Sequence, residues 1–226
     1  MKLAIFDFNG TIFPKETLPF LFSQWYKNNY SKIKLAQVFF PLLPLYLKYK
    51  LNLDSQLSKE QMEREAMKGF SKIFVGMNKN QIENFFQLAQ TSAKNYYNKK
   101  IVKKIYSAKQ NGYYTVLLSG AFKMFLIKVG EELNFDKVIG SELYLSDEKF
   151  DDSGSLEIMS GSNKLKKLKQ EFKNKKIRWD RSYAYADSYH DLKLLKAVGH
   201  PVAVDPDSQL TSTAKERNWQ IIRISS

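Results

Sequence analysis

Four short stretches of this chain carry side chains able to act on an anion. The first is Lys2-Leu3-Ala4-Ile5-Phe6-Asp7-Phe8-Asn9-Gly10-Thr11, in which an apolar run delivers a carboxylate and then a glycine turn. Leu3 to Phe6 reads as a short strand covered on both faces, since continuous apolar runs mark such strands. Asp7 then stands at the strand's carboxyl end, the edge of an open α/β sheet where ligands bind. Gly10 and Thr11 turn the chain so that main-chain N–H groups can face an anion, which suits phosphate. A plain buried strand ending in a surface Asp and a glycine turn fits these ten residues equally well. The partners downstream decide between the two.

The second stretch, Val116-Leu117-Leu118-Ser119-Gly120-Ala121, is an apolar strand expected to end in a small hydroxyl and a glycine. Such a hydroxyl and the free N–H groups beside it can hold a phosphoryl oxygen. The third is Lys164, at the expected start of a helix, where an ammonium can neutralise a nucleophile or a phosphate. The fourth, Tyr185-Ala186-Asp187-Ser188-Tyr189-His190-Asp191, is again a strand end, with carboxylates four positions apart. Hard oxygen ligands of this kind suit Mg²⁺, which keeps several waters and one or two carboxylates.

In this order the four pieces resemble the motifs of the haloacid dehalogenase (HAD) superfamily. Gly199 to Asp207 extends the match, resembling the segment after the fourth motif in the phosphoserine-phosphatase-like branch. The resemblance implies that Asp7 is a nucleophile forming a phospho-aspartyl intermediate. It implies Mg²⁺ bound by Asp7, Asp187 and the main-chain carbonyl of Asn9, with Asp191 as a further acidic residue of the metal site. Ser119 and the N–H of Gly120 take the phosphoryl-binding role, beside the glycine turn and Thr11, and Lys164 screens the crowded negative charge. Glu16 stands where phosphoserine phosphatases carry a glutamate that reads the substrate's amino group; the plainer reading is a first-turn helix acid.

One departure bears on mechanism. The family's phosphatases usually carry Asp two residues after the nucleophile, and here that residue is Asn9. Its backbone carbonyl can still bind metal, but its amide can neither protonate a leaving alkoxide nor activate water. General acid–base catalysis contributes about 10²–10⁴-fold, so Asn9 predicts slow turnover unless the leaving group is good or another group supplies the proton. His190, beside the fourth stretch, is one candidate; its plainer reading is a half-exposed histidine at a helix start.

The elements that must position these residues follow from the texture of the chain. From about Glu16 to Lys100 the pattern is helical, with Leu18, Leu21, Phe22 and Trp25 on one face and Ile82, Phe85, Phe86 and Ala89 on another. From Ile101 onward, apolar runs at Tyr113–Leu118, Tyr183–Ala186, Val202–Val204 and Gln220–Ile224 alternate with helical stretches. The expected fold is α/β: a Rossmann-like, doubly wound parallel sheet core formed by residues 1–14 and 101–226. Residues 15–100 are inserted after the first strand as an all-helical cap, the C1 type in that branch of the superfamily. Leu143–Leu145 and Leu156–Ile158 flank Asp151-Asp152-Ser153-Gly154 and predict a β-hairpin closed by that loop.

Composition narrows the partners. The chain has 226 residues, no cysteine and a formal net charge of +13. Disulfides, thiolate metal sites and cysteine nucleophiles are excluded. With no secretory-type leader before the first strand, the expected location is cytoplasmic. The densest basic run, Lys164 to Arg181, has Leu165, Leu168 and Phe172 at helical spacing, so most of its lysines read as a solvated helix face. No groove-reading or stacking motif accompanies the charge, so nucleic acid is not an expected partner.

Residues 15–100 hold 14 Lys/Arg against 6 Asp/Glu and are rich in aromatics, which suits a substrate more anionic or more apolar than serine phosphate. Val38 to Leu47, with Pro41 and Pro44, is too short an apolar run to span a bilayer. It reads either as a buried, proline-interrupted helix pair or as an element in peripheral contact with anionic lipid. The expectation is a Mg²⁺-dependent phosphohydrolase acting on a small-molecule or lipid-linked phosphate monoester. The alternatives are a membrane-surface lipid-phosphate phosphatase and a catalytically weak protein that binds a phosphorylated ligand.

Overall fold

The computed structural model describes residues 1–51, 58–154 and 156–224. Strand β1 (Leu3–Phe6) leads into four helices, α1 (Thr17–Lys27), α2 (Lys32–Lys50), α3 (Lys59–Ser71) and α4 (Lys79–Ala93). Helix α5 (Lys99–Gln110) then returns the chain to the sheet through β2 (Tyr114–Phe122), α6 (Lys123–Glu132) and β3 (Lys137–Ser141). A small hairpin of β4 (Leu145–Ser146) and β5 (Lys149–Phe150) precedes α7 (Gly161–Glu171). The second half of the sheet comprises β6 (Tyr183–Ala186), α8 (Leu192–Ala197), β7 (His200–Val204), α9 (Ser208–Glu216) and β8 (Gln220–Ile222).

The main sheet is parallel throughout, in the order β3-β2-β1-β6-β7-β8. β1 is therefore central, with Leu3 opposite Tyr114 on one side and Ala4 opposite Tyr183 on the other. Its side chains alternate, as a strand's must. Leu3 and Ile5 face a core completed by Leu168, Leu194, Leu195 and Leu210 from α7, α8 and α9. Ala4 and Phe6 face the opposite core, with Ile101 and Ile105 of α5 and Phe125 and Leu126 of α6. Helices on both faces make the sheet doubly wound, the expected α/β architecture.

The second core continues without a break into the inserted helices. Phe70 of α3 and Phe86 of α4 pack on Phe122 at ring separations of 5.8 and 5.9 Å, and Phe86 reaches Phe125 at 6.1 Å. Such aromatic contacts add about 0.5–1.5 kcal/mol each beyond area burial, so the insert is anchored over the sheet's carboxyl edge. Helices α3 and α4 each start with a capping box, Ser58 with Gln61 and Asn78 with Gln81. These caps satisfy first-turn N–H groups that helix geometry leaves without partners.

Four expectations need correction. The strand through Ser119 does not end there; β2 runs on to Phe122 across a register shift between Leu118 and Phe122, a bulge that turns this segment out of the ladder. The edge strand β3 lies where only the hairpin was expected. The hairpin itself turns at Asp147 and Glu148, both at positive φ, while a lone antiparallel bridge joins Glu142 to Glu157. Ser155, within that segment, lies outside the described residues.

The fourth concerns Val38–Leu47. It is not a buried helix pair; it lies inside the single helix α2, of which Val38 alone is fully buried. Pro41 and Pro44 free the carbonyls four residues back, on Gln37 and Phe40. Both are exposed residues, so water can satisfy those carbonyls. No helix among the described residues is long and apolar enough to cross a membrane.

Candidate active site

The carboxyl ends of β1, β2 and β6 converge on one cavity of about 620 Å³. Asp7 extends β1, its N–H still donating to the Tyr185 carbonyl at 2.9 Å. The chain then turns tightly. The N–H groups of Thr11 and Phe13 both donate to the Phe8 carbonyl, and Gly10 sits at φ +68°. Glycine is needed here for two reasons: that φ is left-handed, and a Cβ would run into the Asp187 carboxylate.

Lys164 organises the floor. Its Nζ donates to Asp7 Oδ1 and to Asp191 Oδ2, both at 2.8 Å. The lysine is 6% exposed and Asp191 2%. Gly161, at the start of α7, allows this approach, because a Cβ there would lie 2.8 Å from His190 atoms in the turn that carries Asp191. Elsewhere in the basic run Lys166 and Lys169 lie on the exposed face of α7, and Lys164 is the buried exception.

Three carboxylates around one ammonium leave excess negative charge. Burial, reinforced by the charge of Asp7, pushes Asp187 up to about 8 against the pull of Lys164. Burial likewise raises Asp191 to about 6, with Lys164 again opposing. Burial alone would push the Lys164 ammonium down, but the charges and hydrogen bonds of Asp191 and Asp7 together hold it above its ordinary value. Asp191 Oδ1 is buried without a hydrogen-bond partner among the described residues.

This environment fits a hard divalent cation. The donor set at hand is two carboxylates, Asp7 and Asp187, and the main-chain carbonyl of residue 9, with water able to complete the shell as Mg²⁺ prefers. Among the described residues no three acidic or histidine side chains form a metal cluster by themselves. Asp191 Oδ2 is committed to Lys164, so that oxygen serves the lysine.

The remaining predicted residues divide. Ser119, Gly120, Asn9 and Glu16 line the cavity together with Asp7, Lys164, Asp187 and Asp191. Ser119 Oγ accepts a 3.4 Å bond from the Ala121 N–H, and a Cβ on Gly120 would sit 2.8 Å from the Met159 carbonyl. Thr11 is not in the lining; it is fully buried, and its hydroxyl has no partner among the described residues. The turn that presents the N–H groups points its side chain inward.

Thr17 is a site residue that sequence reading missed. Its buried hydroxyl donates to Asn9 Oδ1, which fixes the amide. Nothing in the spacing of positions 9 and 17 signals this contact, which exists only once α1 folds back over the turn. The apolar wall was missed as well. Leu18 and Phe22 of α1, Phe39, Leu42 and Tyr46 of α2, and Met67 of α3 line the cavity.

Comparison with known proteins bears on the family and the fold. Over 65 residues the chain is 38% identical to phosphoserine phosphatase SerB1 of Mycobacterium tuberculosis, a match covering 29% of this chain and 21% of that relative. The structure of a Bordetella pertussis protein of unknown function superposes with a TM-score of 0.79 at 17% identity, covering 98% of this chain and 97% of the other. A phospho-aspartyl intermediate analogue of phosphoserine phosphatase superposes with a TM-score of 0.61 at 19% identity, over 100% and 93% of the two chains. At these identities the superpositions speak to the fold. The family model for haloacid dehalogenase-like hydrolases matches residues 4–196, and the chain belongs to that family.

Proposed function

We propose that this chain hydrolyses a phosphate monoester through Asp7, with residues 15–100 acting as a cap over the site. The observation that carries this reading is the buried Lys164 bridging Asp7 and Asp191 on the floor of a cavity. A carboxylate can attack an anionic phosphoryl group only where fixed positive charge offsets the repulsion. The Lys164 ammonium donates to Asp7 Oδ1 at 2.8 Å, the kind of charge offset such an attack needs.

In the first step an Asp7 oxygen forms a bond to phosphorus, the bond from phosphorus to the ester oxygen breaks, and the alkoxide leaves and takes up a proton. In the second, water attacks the phosphorus of the aspartyl phosphate and gives up a proton to solvent, the bond from phosphorus to the Asp7 oxygen breaks, inorganic phosphate is released and the Asp7 carboxylate is regenerated. Ser119 and the Gly120 N–H would hold phosphoryl oxygens. Mg²⁺, held by Asp7, Asp187 and the Asn9 carbonyl, would neutralise phosphoryl charge when bound.

Asn9 moves no proton in either step, so slow turnover is expected on esters with poor leaving groups. A second reading, a phospho-ligand-binding protein with residual turnover, is favoured by the hydrogen bond that fixes the Asn9 amide to Thr17.

The test is hydrolysis of an activated aryl phosphate with and without Mg²⁺, together with acid-quench trapping of phospho-enzyme. Asp7→Ala is expected to abolish both signals, with turnover falling by ~10³-fold or more. Undiminished activity in that variant would end the proposed mechanism. Trapped phospho-enzyme without multiple turnovers would favour the second reading.

A further inference from the structure

The net positive charge of residues 15–100 does not reach the cavity. Beyond the floor, the charged side chains of the described lining are Glu16, Glu60, Glu63 and Arg64, three acids against one base, and Lys164 is the only lysine in it. Such a wall offers no cationic cluster for a second phosphate or for a polyanionic alcohol. Most of the remaining wall is apolar, and much of it is unburied in the chain by itself. Phe39 and Tyr46 are 45% and 47% exposed although both line the cavity, and Leu42, Leu43 and Leu45 are half-buried. A substrate the size of serine phosphate would occupy the floor and leave this wall wet. The cavity's volume, about 620 Å³, sits within the ~300–1,000 Å³ of small-molecule sites, in which most of a ligand's surface is buried.

We infer that the alcohol carried by the phosphate is an apolar chain, so that the substrate is a single-headed amphiphile: phosphate on Asp7 and Lys164, chain between α1, α2 and α3. This rests on the phosphohydrolase reading of the floor. It adds a binding site that the floor does not require. The chain removes Phe39, Tyr46 and the half-buried leucines from water, and the driving force grows with apolar area buried. The chemistry is shared by a free alkyl phosphate and by a phosphate at the head of a bilayer lipid.

The test measures kinetics on ethyl, butyl and octyl phosphate below their micelle concentrations, with Mg²⁺, and calorimetric binding of the matching alkylphosphonates, which need no turnover. KM and Kd are each expected to fall by about tenfold or more from butyl to octyl, as hydrophobic pockets discriminate chain length. Tyr46→Gln and Phe39→Gln should each remove most of that dependence on chain length. Phe40→Gln, on the neighbouring residue outside the cavity lining, should preserve it. A flat chain-length profile, or one abolished only by Phe40→Gln, overturns the inference.

Loss of turnover on every ester, with length-dependent phosphonate binding intact, overturns the hydrolase reading and leaves the chain site standing. A parallel arm with phosphatidylcholine vesicles containing phosphatidic acid identifies the source. Release of phosphate from vesicles indicates a bilayer lipid, and release from monomeric octyl phosphate alone indicates a soluble amphiphile; either supports the chain site.

Discussion

On the floor of the cavity, Lys164, Asp7 and Asp191 are buried within 2.8 Å contacts, and glycines stand at three points where a Cβ would collide with a neighbour. On the wall, α2 carries two prolines, buries Val38 alone and leaves Phe39 and Tyr46 half in water. The floor comes from strand ends fixed by a six-stranded ladder, whereas the wall comes from helices joined to the core by side-chain packing such as the aromatic seam to Phe122 and Phe125. Charge chemistry demands groups held within fractions of an ångström. Apolar recognition is non-directional and tolerates a looser frame. The two regions differ in how tightly they are packed, as their tasks do.

Substitutions can sharpen this contrast. The largest effect is expected from Lys164→Met, which strands buried carboxylates without a counter-charge. Breaking a buried ion pair on one side costs about 3–5 kcal/mol, here a fall in Tm of about 10 °C. An unchanged Tm would show that the floor is less tightly determined than its geometry implies. Next is Asn9→Asp. The Thr17 hydroxyl can donate to a carboxylate as well as to an amide, so the new group would be held in place. Turnover of unactivated alkyl phosphates should rise by about 10²-fold, and a fall would mean the site is built around the amide.

A smaller effect comes from pH. Asp187 titrates near 8 in the fold against an ordinary 3.8, so the native state holds this proton more tightly than the unfolded chain. Its contribution to stability is complete below about pH 3.8 and is lost as pH rises through about 8. In metal-free protein Tm should decline from about pH 6 to about pH 8, and Asp187→Asn should flatten that decline. Added Mg²⁺ should restore more stability at the upper end of the range, since it binds the folded state alone. The smallest effect is expected on the wall's outer side. Phe40→Ser, at a residue 66% exposed, should change stability by no more than about 0.5 kcal/mol in chemical denaturation.

Asp7 and Asp187 were readable because each follows an apolar run that forms a strand for its own reasons, and Lys164 because it opens a helical pattern. β1 and β6 emerge at the predicted residues, and they deliver Asp7 and Asp187 to one edge. β3 was illegible because its apolar content is little more than Val138 and Ile139, followed by Gly140; pairing with β2 makes it a strand. The bulge after Leu118 depends on pairing with β3, and the inward turn of Thr11 and the Thr17–Asn9 contact depend on backbone turns that no residue pattern encodes. The continuous course of α2 went unread for a different reason. Two prolines normally end a helix, and here the freed carbonyls fall on exposed residues.

The strand order has a consequence for biosynthesis. β1 is made first, yet its neighbours are β2, which begins at Tyr114, and β6, which begins at Tyr183. While the ribosome is still making what lies between, Leu3 to Phe6 are an apolar segment with both edges open, the kind of strand that invites wrong pairing. The inserted helices, rich in local contacts, can collapse early, because local contacts form fastest. The charged floor can close only later, when the turn bearing Asp191 reaches Lys164. A chain arrested before Tyr183 would hold the complete insert and no site, so the floor depends on the last third of the chain while the wall does not.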